Sequence, residues 1–482
     1  MTAEQGQRLT SEPTWSSAGA PVRGWVVAAI LFGLMLVEGL REGGFWRADA
    51  FVVAVAAAGF LLVAVVVTPP DLRGSMVIVS ILLLTLWWFV RAGITGSLAQ
   101  FLPLGASFLA FAAAFAVVRP LSGRAREAAG LGVACLGAAG ALAGFAGLTW
   151  RWYPMAMPAQ GLWRLSSTLT YSDAAGLVLG MCLLIALGTD MYPGLVRMVV
   201  CLCAGGLLAT QSRGAFVAFA CACALVPWRR YVRHLVPLLA GAGLGAAAIV
   251  SSPDAGHVPW LVVVLVLATG AAGVARRDVS SADIGTTARL VVALVVLSAL
   301  VGALLLVHHE IGLRAFAPSD QDRSVEWGTA LHQFGTAPVF GVGPDRLLEF
   351  SASDGTYAHF VHNEFLQIAA DAGVVGVVLL TFSVTSVIRV VRRFDVLSSC
   401  ATSALVCWVV AGAFDFDWHL TFVGFLGGWC VGLATRRGQG NEESGQSDSR
   451  DRVLSRLVRG AAPHGRRIRH ATSRVAEHSR RV

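Results

Sequence analysis

The amino-acid sequence predicts an all-α integral membrane protein, a polytopic helical bundle of about 12–14 transmembrane helices with one large external loop. Three observations predict this class. Of the 482 residues, 56% are hydrophobic and only 14% are charged, whereas a soluble domain carries about 25% charged residues. The mean hydropathy is +0.67. Mainly apolar stretches that are long enough to cross a bilayer, or nearly so, recur along almost the whole chain.

These apolar stretches are the predicted membrane spans. In chain order they are residues 24–40, 50–68, 74–90, 99–118, 128–148, 174–189, 194–210, 212–226, 235–250, 259–275, 288–307, 374–388, 398–414 and 418–434. The first stretch, the close pair between 194 and 226, and 259–275 carry the weakest signal. The predicted number of spans is therefore given as a range, 12–14.

Polar segments flank this membrane domain, which is predicted to extend over residues 24–434, with the external loop at 308–373. Residues 1–23 form a predicted cytoplasmic N-terminal segment. Residues 435–482 form a basic, largely disordered cytoplasmic tail, which holds 12 Arg and 5 acidic residues and so contributes +7 to the net charge of +8. Apolar and Arg residues alternate at helical spacing within the tail, which suits a short helix on anionic lipid headgroups.

Arginine clusters fall in alternate predicted loops, and the positive-inside rule places those loops in the cytoplasm. The clusters are Arg119, Arg124 and Arg126; Arg229, Arg230 and Arg233; Arg276, Arg277 and Arg289; and Arg389, Arg392 and Arg393. With fourteen spans, both termini share this side. The loops at 149–173 and 308–373 and the turn before Ser212 then face outward. The predicted location is the cell inner (cytoplasmic) membrane, with multiple passes and both termini cytoplasmic.

Three polar side chains in the outward loops are candidates for chemistry: Arg213, Arg323 and His362. A guanidinium binds phosphate through a planar fork of donors, and an imidazole can accept a proton near neutral pH. Two Arg could neutralise a pyrophosphate leaving group without a metal. Each residue also has a structural interpretation, since an Arg at a helix end can extend to lipid phosphate and a His can cap a helix.

Other polar features of the external loop give weaker signals. Asp320, Asp322 and Glu326 flank Arg323 and could orient it, or they could be solvated loop charges. Gly341-Val-Gly343 superficially looks like a nucleotide-binding loop, but no strand-to-helix unit of a soluble domain surrounds it. The nine Cys all lie in predicted spans, at spacings that fit no zinc site. No metal site and no cofactor is therefore predicted.

The motifs as a set resemble the O-antigen ligase and O-antigen polymerase superfamily. They are Ser212-Arg213-Gly214, Arg323-x3-Trp327-x2-Ala330, Pro338-x2-Gly341-x-Gly343 and His362-Asn363-x2-Leu366-Gln367-x5-Gly373-x2-Gly376. An earlier stretch with Arg164 and Thr168 is similar to the family's Arg-x3-Thr, with Asp173 in place of its usual Asn. The turn Phe414-Asp415-Phe416-Asp417-Trp418-His419 is also similar. The resemblance covers roughly residues 75–434.

This resemblance implies a helical fold of the lipid-sugar glycosyltransferase (GT-C-like) type and a metal-independent transferase. Such enzymes move a glycan from an undecaprenyl-pyrophosphate donor to a hydroxyl acceptor at the outer face of the membrane, without a nucleotide sugar. By resemblance, Arg213 and Arg323 hold the pyrophosphate, and His362 activates the glycan or lipid hydroxyl acceptor. The substrate-binding residues that the resemblance implies are Arg164, Trp327, Asn363 and Gln367.

Two other functions fit a chain with many spans. One is a solute transporter, but a coupled transporter usually places ionisable residues at the midplane, and here the clearest, Glu38, lies near one end of a span. The other is a lipid-linked oligosaccharide flippase, which would need a long basic cavity inside the spans, whereas the Arg residues lie at span ends. The sequence leaves the glycan, the acceptor, and ligation versus polymerisation open.

Overall fold

The computed structural model describes residues 19–159, 161–253, 321–344, 349–350, 357–358 and 360–435. Within these residues the chain forms fourteen α-helices and two small antiparallel sheets. The helices are α1 (Gly19–Leu40), α2 (Arg47–Val67), α3 (Leu72–Ile94), α4 (Leu98–Val118), α5 (Gly123–Trp150), α6 (Ser172–Gly188), α7 (Pro193–Thr210), α8 (Arg213–Cys223), α9 (Trp228–Arg233), α10 (Leu235–Val250), α11 (Gln321–Thr336), α12 (Glu364–Val390), α13 (Val396–Ala411) and α14 (Thr421–Ala434).

The sheets are hairpins between helices: β1 (Ala156–Ala159) pairs with β2 (Leu162–Leu165), and β3 (Glu349–Phe350) pairs with β4 (Tyr357–Ala358). Three 3₁₀ turns occur at Glu42–Gly44, Ser167–Leu169 and Asp417–His419. Strand structure among the described residues is thus confined to connections, as expected where a helix satisfies its own backbone within a bilayer.

The predicted fold class is confirmed as a polytopic, all-α membrane protein. Among the described residues, six helices are long and apolar enough to cross a membrane, namely α2, α3, α4, α5, α7 and α12. Shorter apolar helices coincide with most of the other predicted spans. The predicted spans 259–275 and 288–307 lie outside the described residues. So do residue 320, the N-terminal segment up to residue 18 and the tail from residue 436.

The most deeply buried helices are α6 and α14, in which nearly every residue is inaccessible to solvent. Helix α14 approaches α4 closely because small residues face the contact. A Cβ atom added to Gly428 would lie 2.0 Å from the carbonyl oxygen of Phe111, and one added to Gly424 would lie 2.3 Å from that of Ser107. Glycine is therefore required at both positions for this packing.

The arginine-rich junctions between helices meet at one end of the bundle. Arg126, at the start of α5, pairs with Asp395, the N-cap of α13, at 2.7 Å. Arg393, two residues earlier than Asp395, donates to the carbonyl of Leu225, which follows α8, at 2.9 Å. The α4–α5, α8–α9 and α12–α13 connections therefore lie on the same side, as the alternation of Arg clusters predicts. The cluster at 276–289 lies outside the described residues.

At the opposite end, the loop 338–343 is pinned against a break in α12. Gly373 interrupts the helix with φ 65° and ψ −165°, a conformation that is essentially restricted to glycine. The amides of Val342 and Gly343 donate to the carbonyls of Ala370 and Asp371, both at 2.9 Å. The Gly341-x-Gly343 motif thus has a structural role: it fixes the end of α11 against the first turns of α12.

Candidate active site

Helix α11 presents three polar or aromatic side chains to the start of α12. Arg323, Glu326 and Trp327 are three and four residues apart, so they share one face of the helix. The indole of Trp327 donates to the carbonyl oxygen of His362 at 3.4 Å. Trp327 also packs against a small apolar cluster made of Ala330, Val361, Leu366 and Ala370. This contact fixes the distance between α11 and the loop that carries His362.

His362 is paired with a buried carboxylate. Its Nδ1 lies 2.7 Å from Oε2 of Glu326, and the same oxygen accepts the backbone N–H of His362 at 3.2 Å. A carboxylate only accepts hydrogen bonds, so Nδ1 carries the hydrogen and Nε2 presents its lone pair. The Glu326 carboxylate therefore faces the histidine, and a role for it in orienting Arg323 stays a prediction. Asp320 and the side chain of Asp322 lie outside the described residues.

The environment of His362 alters its basicity. Burial alone lowers the pKa of the imidazole, but the hydrogen bond that it donates to Glu326 and the negative charges of Asp415 and Glu326 outweigh burial, so the pKa of His362 is raised. A quarter of the side chain stays exposed. A histidine with a raised pKa and an accessible ring is a stronger proton acceptor than an ordinary one, provided that the pH lies above that pKa.

Asn363 and Gln367 bind the protein's own backbone around His362. Asn363 is the N-cap of α12: its side-chain oxygen accepts the N–H of Leu366 at 3.0 Å, and its amide donates to the carbonyl of Ala413 at 3.0 Å. The buried Gln367 accepts the N–H of Val361 at 2.7 Å and donates to Asp371. These contacts hold the backbone on both sides of His362. Substrate contact by either residue stays a prediction.

Arg323 lies beside the turn between α13 and α14. Its Nη1 donates to the carbonyl of Phe414 at 3.1 Å, and its Nη2 is 3.8 Å from Oδ2 of Asp415. Tyr171 donates its hydroxyl hydrogen to the same Asp415 oxygen at 2.8 Å. The Arg323 side chain is 29% exposed. Residues from three distant parts of the sequence therefore meet at Asp415.

Arg164 reaches the same region from β2. It forms an ion pair with Asp173 at 2.9 Å, and its Nε donates to the carbonyl of Thr210 at 2.9 Å. Ser212 hydrogen-bonds to Asp173 as well. The Asp that stands where the resembling family usually has Asn is thus the acidic partner of Arg164. Substrate binding by Arg164 stays a prediction.

Arg213 is the first residue of α8, and its side chain is exposed. The next residue packs tightly against the α13–α14 turn, since a Cβ atom on Gly214 would lie 2.9 Å from that of Phe414. The backbone of Arg213 is therefore close to the residue whose carbonyl accepts Arg323. The structure thus brings Arg323, His362, Trp327, Asn363 and Gln367 together, with Arg164 and Arg213 adjoining them through the α13–α14 turn.

The acidic and aromatic residues of that turn are functional candidates to which the sequence analysis gave no roles. Burial and the negative charge of Asp173 raise the pKa of Asp415 to about 6, against the opposing charges of His362 and Arg323. Burial and the charge of Asp415 raise the pKa of Asp417 well above its usual range. Phe416 stacks on Tyr171 at 5.3 Å and touches the His362 ring edge-on at 5.2 Å.

Glu364 connects the two parts of the site. It lies in the first turn of α12, is fully buried, and accepts the N–H of Trp418 at 2.6 Å. The same oxygen is 3.3 Å from Nδ1 of His419. The only sequence signal for this arrangement was the alternation of aromatic and acidic residues at 414–419.

In the described part of the chain, no group of three or more His, Cys, Asp or Glu side chains is arranged to hold a metal ion.

The fold and the site define a class: a multi-pass helical membrane protein with a histidine–carboxylate pair and several arginines at one end of the bundle. Residues 198–381, less than half of the chain, match a family model described as O-antigen ligase. This match supports the O-antigen ligase and polymerase superfamily and confirms the resemblance seen in the motifs. The matched segment includes Arg213, Arg323 and His362. No curated protein matches the chain.

The family match supports a coarse function as well. It indicates a glycan-processing membrane enzyme of the inner membrane that takes part in surface glycan biosynthesis of the O-antigen ligase or polymerase type. A lipid-linked glycan is the kind of partner that this family acts on.

Proposed function

We propose that this protein transfers or polymerises a glycan from an undecaprenyl-pyrophosphate-type donor to a hydroxyl acceptor at the outer face of the cytoplasmic membrane. The observation that carries the proposal is the hydrogen bond between Nδ1 of His362 and Glu326, beside the partly exposed guanidinium of Arg323. A base and an anion-binding group within one site are what transfer from a lipid pyrophosphate to an alcohol requires.

In this mechanism the acceptor hydroxyl gives its proton to Nε2 of His362. The hydroxyl oxygen forms a bond to the anomeric carbon of the donor sugar, and the bond from that carbon to the pyrophosphate oxygen breaks. Glu326 holds the ring in the tautomer that leaves Nε2 unprotonated, and it stabilises the imidazolium that forms. The proton requires no other acceptor while the glycosidic bond forms.

The leaving group is the lipid pyrophosphate, which gains negative charge as the bond breaks. Arg323 and Arg213 would neutralise this charge with bidentate hydrogen bonds. The Asp415 carboxylate lies 3.8 Å from the Arg323 guanidinium. A bound phosphate would draw the guanidinium towards itself and increase this separation. Arg164, on the neighbouring β2 strand, would contact the substrate directly. Alternatively, its ion pair with Asp173 would fix the turn at Ser212, because Asp173 also hydrogen-bonds to Ser212.

Trp327, Asn363 and Gln367 would position the catalytic histidine, in addition to any contact with substrate. Their polar groups bond to the backbone at 361–366 and at 413. This arrangement favours a rigid site, in which the base is already aligned before the acceptor binds.

The sidedness of the proposal depends on the two ends of the bundle. The arginine-rich junctions lie together at one end, and the His362 site lies at the other. The positive-inside rule then puts both termini in the cytoplasm and the site at the outer face. The basic tail at 435–482 would bind anionic lipid headgroups on the cytoplasmic side.

Deleting the gene and measuring lipid-linked intermediates tests this function against the transporter alternative. The proposal predicts that undecaprenyl-linked oligosaccharide accumulates and that surface polysaccharide is lost. Complementation with the wild-type gene should restore both, and a His362→Ala gene expressed at the same level should restore neither. An unchanged intermediate pool together with the loss of uptake of a solute would favour a transporter.

A further inference from the structure

A cavity at the arginine-rich end of the bundle lies between α3 and α12, far along both helices from the His362 site. Its volume is about 300 Å³. It is lined by Leu72, Arg73, Met76, Ser386, Arg389 and Arg392. Three exposed arginine side chains therefore contribute to the wall of a mainly apolar cavity.

Two carboxylates close to this end are engaged elsewhere. Asp71, which caps α3, pairs with Arg119 at 2.6 Å, and Asp395, which caps α13, pairs with Arg126 at 2.7 Å. In the part of the chain that the structure describes, Arg73, Arg389 and Arg392 form no ion pair, so the cavity carries a concentrated positive charge that favours an anionic ligand.

Ser386 supplies an independent indication of a ligand. Its side chain is 1% exposed, and its hydroxyl has no hydrogen-bond partner among the described residues. Its neighbours on α12 behave differently: the hydroxyls of Thr381, Ser383 and Thr385 donate to the carbonyls of the residues four positions earlier, at 2.7–2.9 Å. A buried hydroxyl without a partner is costly, and here it lines a cavity that three arginines also line.

Two exposed apolar stripes lie further along the helices that line the cavity. On α3, Val79, Leu83 and Leu86 follow Leu72 and Met76 at helical spacing and are 49%, 41% and 56% exposed. On α12, Val374, Val378 and Ile388 are exposed on one face. A free phosphate ion would not cover these apolar stripes, whereas the acyl chains of a lipid would cover them.

We propose that this cavity binds the phosphodiester headgroup of an anionic phospholipid, with the lipid's acyl chains lying against α3 and α12. Arg73, Arg389 and Arg392 would contact the phosphate oxygens, and Ser386 would donate its hydroxyl hydrogen to one of them. The lipid would hold α3 against α12, the helix that carries the His362 loop at its other end. This role is separate from glycan transfer.

The test measures binding of phosphatidylglycerol to the purified, full-length protein in neutral detergent, by native mass spectrometry and by the lipid-dependent rise of the thermal midpoint. Wild-type protein should retain phosphatidylglycerol and be stabilised by it. Each Arg→Gln change at positions 73, 389 and 392 should weaken binding about fivefold, the usual scale for one basic residue at a lipid surface. Ser386→Ala should weaken binding without lowering the midpoint of lipid-free protein.

Arg124→Gln is the matched control, because Arg124 is an exposed arginine in the first turn of α5 at the same end of the bundle. It should bind phosphatidylglycerol as wild type does. The proposal is overturned if the Arg73→Gln, Arg389→Gln, Arg392→Gln triple variant retains wild-type binding. It is also overturned if phosphatidylcholine or inorganic phosphate stabilises the wild-type protein as well as phosphatidylglycerol does.

Discussion

At the scale of single residues, the account depends on His362 acting as a base. His362→Ala should lower the transfer rate by about 10²–10⁴-fold, the usual effect of losing a general base, while donor affinity changes little because the arginines supply the phosphate contacts. His362→Gln can still hydrogen-bond but cannot take up a proton near pH 7, so its rate should fall as far. A Gln variant with near-normal turnover, measured with purified donor, would assign His362 a positioning role.

Glu326 gives a pH-dependent prediction. In the proposed mechanism the neutral imidazole is the active form, so kcat/KM should rise as the pH passes through the raised pKa of His362. Glu326→Gln removes the negative charge and leaves only a neutral, weaker hydrogen-bond acceptor, so the rise should move to lower pH, and the maximal rate should fall. A variant that is slower at every pH but keeps the wild-type profile would mean that Glu326 only supports the fold.

Arg213 and Arg323 should not tolerate replacement by Lys, even though Lys keeps the positive charge. Arg213→Ala and Arg323→Ala should abolish transfer with little loss of folded protein, and Lys at either position should rescue weakly because an ammonium lacks the bidentate fork. Transfer assays on protein matched for gel-filtration profile measure this effect. Wild-type activity in an Ala variant would mean that its guanidinium extends to lipid phosphate instead.

At the scale of elements, the break in α12 at Gly373 positions the loop that carries His362. Gly373→Ala places a Cβ atom 2.4 Å from the carbonyl oxygen of Val339 in a backbone conformation that side chains rarely adopt. It should therefore destabilise the protein by roughly 1–3 kcal/mol or more and lower the transfer rate. Gly328→Ala on α11 is the control, since its Cβ atom meets nothing within 4 Å. This control should be neutral or slightly stabilising, as thermal unfolding would show.

The apolar helices were predictable from sequence because a span needs only a sustained apolar run. The bounds were less exact, since α12 begins at Glu364 whereas the predicted span begins only at 374. The motif residues around His362 were predicted as a group, but their partners were not. Glu326, Tyr171 and Asp415 reach the site through tertiary contacts between segments up to 244 residues apart, which no local pattern encodes.

At the scale of the whole molecule, the two ends of the bundle should face opposite compartments. In a Cys-depleted protein, Ser324→Cys on α11 should react with an impermeant maleimide in intact cells, whereas Arg124→Cys at the arginine-rich end should react only after lysis. Both side chains replaced are exposed. The reverse pattern would place the His362 site in the cytoplasm, away from a donor at the outer face.

The central claim is that the site around His362 and Arg323 transfers a glycan from a lipid pyrophosphate. Its most direct test is single-turnover transfer by the purified protein, with lipid-pyrophosphate-linked oligosaccharide and a hydroxyl acceptor. The account predicts that wild-type protein forms the glycoside and releases the lipid pyrophosphate in equal amounts, and that His362→Ala bound to the same donor does neither. Equal product formation by wild type and His362→Ala would contradict it.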